Sequence, residues 1–391
     1  MIWLRKIVMC KSQTVVMLVL NDVCHDGRVQ REARSLSEIY NVFILGLARD
    51  DRRVEYSKNG FEVELLPSRT RKMGKSIPAL LLKYLEYCGR AVFRIIHLRP
   101  KVIHCHDLDA LIPGYIASIV LRACLIYDSH ELYTEQECRV RPLWAWQAIE
   151  KFLLKRIDVL ITANDSRGKI MVAEYGYKKS PIPLYNCPDK HDTEIDRKPP
   201  LDFIQLNEMG RRIVLYQGGI TAGRGLHKWI EAVAKFPHDT ILMLMGYGNL
   251  IQKLLEYAIE SGVADKVLIH DPVSQEDLLP CIRVCDVGIV TYENTSRNNF
   301  LCAPNKIFEY STAGIPIVGV NFPEVARIIK DYDVGELYEP DNSDSMAEAV
   351  KKVLSDQKRY KQMISNTRMV ICNYNWQNQK EKLLNIYKDL T

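Results

Sequence analysis

Short apolar runs alternate with helix-length amphipathic segments along almost the whole chain, and that alternation limits the folds open to it. In the first half the strand-like runs are 15–20, 42–47, 61–65, 102–104, 125–128 and 159–163, with helical patterns at 28–40, 79–97, 111–122, 143–156 and 167–175. The second half continues with strand-like runs at 213–217, 241–245, 267–270, 287–291 and 317–320. Helical patterns intervene at 226–236, 249–261, 276–284, 305–313 and 345–355. Runs without a polar face suit strands covered on both sides, the condition inside a parallel sheet. Strands alternating with helices at this spacing predict doubly wound α/β domains.

The chain has 391 residues, beyond the roughly 250–300 at which one core stops growing, so two domains are expected. Tyr185–Asn186–Cys187–Pro188 closes the first set of elements, residues 189–200 are polar and end in Pro199–Pro200, and a new strand starts at Ile213. The reading is a first domain over 1–195, a second over 196–372, and a terminal segment, 373–391, whose helix carries Leu383, Leu384, Ile386 and Tyr387. Two such domains place a ligand cleft between the carboxyl ends of their sheets. With 47% apolar and 26% charged residues, disordered and fibrous classes are excluded. No run approaches the ~20 clean apolar residues of a membrane-spanning helix, and no secretory signal pattern precedes the first strand. Eleven cysteines are scattered with no C-x-x-C pair, which reads as reduced thiols in a cytoplasmic protein.

Charge is unevenly spread. Residues 1–200 hold 32 Lys and Arg against 24 Asp and Glu, whereas 201–391 hold 21 against 24. Nine of the basic residues (Arg69, Arg71, Lys72, Lys75, Lys83, Arg90, Arg94, Arg99 and Lys101) crowd between 66 and 101 beside a single acid, Glu86. Such a field attracts phosphate or an anionic membrane; a solvated helix face is the plainer alternative. Within 79–97, Leu81, Leu82, Leu85, Val92, Ile95 and Ile96 approximate one helical stripe, able either to pack on the first sheet or to rest in a membrane interface.

The most informative stretch runs from Ala303 to Val318. A turn opens a helix at about Asn305, where unpaired backbone N–H groups and the positive dipole end make a phosphate site. Glu309, one turn further in, can accept both hydroxyls of a ribose. Gly314–Ile315–Pro316 then stops the helix and launches the next strand. His130 follows a strand, where a ligand-facing residue belongs. His104–Cys105–His106–Asp107–Leu108–Asp109 offers an H-x-H and a D-x-D, but no third ligand at zinc spacing accompanies them; Asp107 or Asp109 is read as a helix cap. No G-x-G-x-x-G, P-loop or G-x-S-x-G occurs, which removes the dinucleotide oxidoreductase, P-loop NTPase and α/β-hydrolase readings.

The stretch around Glu309 resembles the donor-binding signature of GT-B glycosyltransferases of family 4, the glycosyltransferase group 1 type. Segment 213–220 with Arg224–Gly225–Leu226 resembles the family's glycine turn and basic residue, Gly246–Tyr247–Gly248 its G-x-G turn, and 267–273, ending in Pro272 and Val273, its nucleobase loop. Tyr127–Asp128–Ser129–His130–Glu131 resembles the strand-end histidine segment, Asp26–Gly27–Arg28–Val29 the loop after the first strand, and the helix after Asn375–Trp376 the segment that crosses back to the first domain. Two departures stand out. The first of the family's two glutamates is replaced by Leu301, so sugar contacts must come from Asn298, Asn299 or the N–H groups of 301–303. Arg224 stands where a lysine is expected and Gly219 where an arginine is, leaving one fixed cation unless Lys306 supplies another.

The resemblance implies two Rossmann-like domains in the GT-B arrangement and a retaining, metal-independent hexosyltransferase without cofactor. It would move sugar from a UDP- or GDP-linked donor to an acceptor hydroxyl, such as a lipid-linked or polysaccharide precursor. His130 and Arg224 would be catalytic; Gly219, Arg224, Gly246, Pro272, Val273, Asn299, Asn305, Lys306 and Glu309 would hold the donor; Asp26, Gly27 and Arg28 would lie on the acceptor side. The basic segment adds an expected peripheral position on the cytosolic face of an anionic membrane. Two other readings remain: a nucleotide-sugar epimerase on the same fold, and a non-enzymatic anionic-ligand binding protein. Nucleic-acid binding has no module signature to support it.

Overall fold

The structure is a computed structural model that describes residues 13–24, 26–48, 53–74, 76–135, 143–189, 198, 199, 203, 205 and 210–390. Lys75 of the basic segment and most of the polar linker, 190–197, lie outside them. The chain forms two compact units. The first runs to Leu184 and regains the chain from Lys380; the second runs from Tyr185 to Gln379 and includes Glu135. The division falls ahead of the polar linker because Tyr185 and Cys187 are buried in the second core.

In the first unit the elements are β1 (Thr14–Leu18), α1 (Gly27–Leu36), β2 (Asn41–Leu47), β3 (Val54–Lys58), β4 (Phe61–Leu66), α2 (Ile77–Leu98), β5 (Val102–His106), α3 (Asp107–Leu121), β6 (Cys124–Ser129), α4 (Leu143–Leu154), β7 (Val159–Thr162), α5 (Asp165–Ala173) and β8 (Ile182–Pro183). The strand order is β3-β4-β2-β1-β5-β6-β7-β8. All neighbours are parallel except β3 and β4. That antiparallel edge hairpin was not expected from the apolar runs, since β3 is charged and mostly exposed. Its signal is Asn59–Gly60, left-handed at both residues (φ 51° and 90°), the pairing that a two-residue hairpin turn requires.

The second unit contains β9 (Arg212–Gln217), α6 (Leu226–Val233), β10 (Thr240–Met245), α7 (Ile251–Glu260), β11 (Val267–His270), α8 (Gln275–Arg283), β12 (Val287–Val290), α9 (Arg297–Phe300) and α10 (Asn305–Ala313). It continues with β13 (Ile317–Val320), α11 (Pro323–Tyr332), β14 (Gly335–Tyr338), α12 (Ser343–Ser355), α13 (Gln357–Asn373) and the start of α14 (Trp376–Leu390). Its sheet is wholly parallel in the order β11-β10-β9-β12-β13-β14. The central strands are apolar and buried on both faces, with β10 buried at every position, as helices on both sides of a parallel sheet demand. The α14 residues Leu383, Ile386 and Tyr387 pack into the core of the first unit.

The α2 stripe does not pack as one face. Ile95 is buried, but Leu81, Leu82 and Leu85 are exposed, and the sheet side is taken by Ala79, Tyr87, Cys88 and Ala91. Arg90 and Arg94 are also less free than a charge count implies, being paired with Glu86 at 2.9 Å and Glu64 at 2.6 Å. No described helix is long and apolar enough to cross a membrane, and none of the nine cysteines among the described residues forms a disulfide.

Candidate active site

In the second unit the carboxyl end of β9 runs from Gln217 into Gly218–Gly219–Ile220. Gly218 has φ 125°, and a Cβ there would stand 3.1 Å from the Lys306 ammonium; glycine both permits the backbone and makes room for the cation. Lys306 is the second residue of α10 and is buried. Its Nζ lies 5.1 Å from the centre of the Tyr216 ring and 5.7 Å from that of Tyr292, and the Arg224 guanidinium lies 4.3 Å from the Tyr292 ring. Two cations therefore share one aromatic ring, an attraction worth ~0.5–2 kcal/mol per cation, while repelling each other. Burial and the Arg224 charge push Lys306 down to about 8, against a smaller opposing pull from Glu309. A diphosphate is the kind of ligand that relieves both costs.

Glu309 sits one turn beyond Lys306 and accepts a hydrogen bond from the Gln217 side-chain amide. Its neighbour fixes it in place. The Tyr310 hydroxyl shares its proton between the Leu215 and Ile289 carbonyls, each 3.2 Å away, and accepts from the Gln217 N–H at 3.3 Å. That ring reaches the strands only because Gly288 in β12 has no side chain: a Cβ there would overlap it. Asn305, Lys306, Glu309, Gly219 and Arg224 thus gather where β9 and β12 end. Gly246 abuts Gly218, whose carbonyl a Cβ would strike, and its N–H binds His270 O at 2.9 Å. Pro272 and Val273 follow β11 at the sheet edge, two strands from Gly219, ahead of Ser274, which caps α8.

The expected sugar contacts are partly committed elsewhere. Asn299 spends its amide on Thr295 Oγ1 at 3.1 Å and Glu293 O at 3.4 Å. The N–H groups of Leu301 and Cys302 bind Arg297 O and Asn299 O, at 2.9 and 3.3 Å. Tyr216, Gln217 and Tyr292 were not singled out from the sequence. Nothing in local spacing marks them, because each matters through a partner far along the chain.

The first unit holds a separate buried polar cluster at the ends of β5 and β6. Asp128 receives Arg28 through Nη2 at 2.8 and 3.0 Å and Nε at 3.2 Å, and the third guanidinium nitrogen donates to Leu184 O at 2.7 Å. Arg28, expected on the acceptor side, is instead turned inward and buried, with Glu32 also 3.0 Å from its Nε. Asp26 caps α1 by accepting from Val29 N at 3.1 Å; Gly27 opens that helix.

His130 Nε2 lies 3.0 Å from His106 Nδ1 and 3.3 Å from Asp128 Oδ2. Burial works against protonating His130, but the Asp128 and Asp107 carboxylates outweigh it and raise it to about 9. It is an imidazolium at neutral pH, so Nε2–H is a donor shared by His106 and Asp128. Burial and the neighbouring His104 push His106 down to about 3, so it stays neutral. Burial, reinforced by Asp128, lifts Glu32 well above the usual carboxylate range; Asp128 is held well below it, as Arg28 and the histidines overcome its own desolvation.

Strand β5 extends through His106, so His104 and His106 face the same way, ring centres 4.5 Å apart. The fold adds Glu32 and Asp128, and ligand atoms of the four lie within 4.8 Å of one another; the sequence spacing gave no hint of these two carboxylates. Arg28 already supplies their counter-charge. The expected helix cap is also corrected. His106 occupies the cap position, and Asp107, with φ 63°, accepts from the His130 N–H at 3.1 Å. Aspartate is among the few side chains that tolerate that backbone.

The sequence profile of the family "Glycosyl transferases group 1" matches residues 198–370, and that of "Glycosyl transferase 4-like domain" matches 28–183. The chain is 22% identical to a chitobiosyldiphosphodolichol beta-mannosyltransferase of Candida albicans, over 88% of this chain and 82% of that one. It is 28% identical to an uncharacterized glycosyltransferase of Methanocaldococcus jannaschii, over 73% and 75%. Among solved structures, HepE from Anabaena in complex with UDP and glucose superposes with a TM-score of 0.74 at 15% identity, covering 96% of this chain and 100% of that one. Sucrose-phosphate synthase from Thermosynechococcus elongatus gives 0.77 at 15% identity, covering 97% and 99%. With both of its halves matched by these family profiles and its two parallel-sheet units sharing the architecture of those enzymes, the chain belongs to the group 1 glycosyltransferases of GT-B fold.

Proposed function

We propose that the protein is a retaining hexosyltransferase that uses a UDP- or GDP-sugar, needs no metal, and acts on a lipid-linked glycan acceptor. The observation that carries the donor assignment is the pairing of Lys306 and Arg224 over Tyr292, one helical turn from Glu309. Glu309 binds the ribose hydroxyls, while Lys306, Arg224 and the N–H groups at the start of α10 neutralise the diphosphate as it departs. Stabilisation of charge that develops in the transition state is usually the largest catalytic contribution. In this reading the missing arginine at Gly219 is replaced by a lysine delivered from the helix. His130 serves as a charged N–H donor rather than a base, since its neighbours keep it protonated.

Turnover of labelled nucleotide sugars tests the reading, with the anomeric configuration of the product followed by NMR; an inverted product removes the retaining assignment. Glu309→Ala should raise the donor KM, because ribose binding is largely ground-state binding, and Arg224→Ala should lower kcat. Unchanged kinetics in both variants would overturn the site. Activity should persist in EDTA, the diphosphate being met by side-chain cations; loss on chelation, restored by Mg²⁺ or Mn²⁺, would refute metal independence.

The acceptor assignment draws on the surface of the first unit. Ile77, Leu81, Leu82, Leu85 and Phe93 of α2, Ile116, Ile119 and Val120 of α3, and Trp144 and Phe152 of α4 are exposed on helices that pack side by side. Large exposed apolar patches mark interaction sites, and the basic residues around α2 favour anionic lipid at ~1 kcal/mol each. The Candida relative is named for an acceptor carried on diphosphodolichol. The protein should co-sediment with vesicles containing anionic lipid at low salt. Leu81→Gln with Leu85→Gln should weaken that binding at least ~10-fold, since each buried CH₂ contributes about 0.8 kcal/mol, and should leave donor turnover intact. A wild type that ignores such vesicles at every ionic strength points to a soluble acceptor.

A further inference from the structure

Of the Phe, Tyr and Trp side chains described in the second unit, Tyr247 alone is exposed, at 72%. Its position is not that of a loop tip. It stands between Gly246 and Gly248 at the carboxyl end of β10, and the turn beneath it is tightly held. Gly246 N–H binds His270 O at 2.9 Å, and Tyr247 O accepts from the Ile220 N–H at 2.8 Å. A Cβ on either glycine would collide with the backbone carbonyl of Gly218 or Ile220. The flanking positions are fixed against the glycine turn that borders Lys306, and only the residue between them can carry a side chain.

The sheet order supplies the second half of the argument. β10 lies between β11 and β9. β9 ends at Gln217, which donates to Glu309, and β11 leads into Pro272 and Val273. A nucleotide whose ribose rests at Glu309 and whose base extends toward the loop after β11 must pass over the end of β10. The residue presented there is a rigidly mounted, solvent-exposed phenol ring. Exposing such a ring forfeits its burial energy, whereas a base has a π-face to restore it.

We infer that Tyr247 is the stacking platform for the nucleobase of the donor. The inference rests on the donor reading above. Stacking of this kind tolerates any base, so Tyr247 would supply affinity, and the edge contacts that select uracil or guanine would fall to the loop after β11. By alanine substitution, an aromatic–base stack is worth roughly 5- to 150-fold in affinity.

Titration calorimetry with UDP, GDP and inorganic pyrophosphate tests it on the full chain. Tyr247→Ala should weaken whichever nucleoside diphosphate the wild type binds by about 10-fold or more, leave pyrophosphate binding unchanged, and keep the wild-type melting temperature. Tyr247→Phe, which retains the ring, should bind within about 2-fold of the wild type. If Tyr247→Ala binds the nucleotide as well as the wild type, or loses pyrophosphate to the same degree, the platform is refuted while the donor site stands. If the wild type binds neither nucleoside diphosphate, the donor reading falls and the platform with it.

Discussion

Lys306→Met should make the protein more stable and remove its response to nucleoside diphosphate. The ammonium is buried beside Arg224 and titrates at about 8 instead of 10.5. The unfolded chain therefore holds more protons than the folded one between those values, so stability rises as pH climbs through that window. Below pH 8 the folded state carries the full cost, on the order of 3 kcal/mol, which an apolar side chain of similar length does not incur. At roughly 2–4 °C per kcal/mol for a unit of this size, the second unit should melt several degrees higher in the variant at pH 7. In the wild type UDP or GDP should raise the melting temperature, and by less above pH 8, where Lys306 loses its charge. In the variant that rise should vanish and kcat should fall ~10²–10³-fold, the usual loss when one charge-stabilising group is removed. A variant less stable than the wild type, or one that keeps its nucleotide response, would contradict the role assigned to Lys306.

Asp128→Ala should have the largest effect on the first unit. It takes the two-oxygen partner from the buried Arg28 guanidinium, which keeps Glu32 at 3.0 Å, and removes the carboxylate that faces His130, His106 and His104. Removing one partner of a buried ion pair typically costs ~3–5 kcal/mol, and denaturant unfolding should read a loss of that order. The double change Arg28→Met with Asp128→Leu should recover part of it, because the guanidinium leaves together with its carboxylate partner. The pH profile separates this network from simple packing. His130 is raised to about 9 from 6.5, so its stabilising contribution is complete below pH 6.5 and is lost as pH rises through 9. That decline should be present in the wild type and much smaller in Asp128→Ala, where Asp107 is the carboxylate left to raise His130. An unchanged profile would mean that His130 does not depend on Asp128 for its proton.

These two sites were legible in the sequence to different degrees. Periodicity located most strands and helices, because burial on both faces of a parallel sheet leaves an unbroken apolar run that needs no tertiary information to be seen. The weakly apolar elements escaped: β3 is a charged edge strand recognisable only by Asn59–Gly60, and β14 is a four-residue edge strand, Gly335–Tyr338, with two half-buried positions. Asn305, Lys306 and Glu309 could be put forward together from the sequence because all three fall within little more than one helical turn. Their local order, fixed by the pitch of a single helix, survives any tertiary arrangement.

What the tertiary structure decided is everything that depends on distant segments meeting. Lys306 comes to the glycine turn only because α10 lays its first turn against Gly218, 88 positions earlier in the chain by their numbering. Tyr292 and Gln217 acquire roles from the same approach. In the first unit, Arg28 was readable only as part of the loop after the first strand until β6 brought Asp128 to it across 100 residues, and burial then made that pair obligatory. His130 was recognisable as a strand-end residue, but its charge was not, since a histidine's proton is set by the carboxylates around it and by the water excluded from them. Residue types and local spacing are properties of the chain; the protonation of a buried group and the partner of a buried charge belong to the fold, because both are fixed by the field of neighbours that only packing assembles.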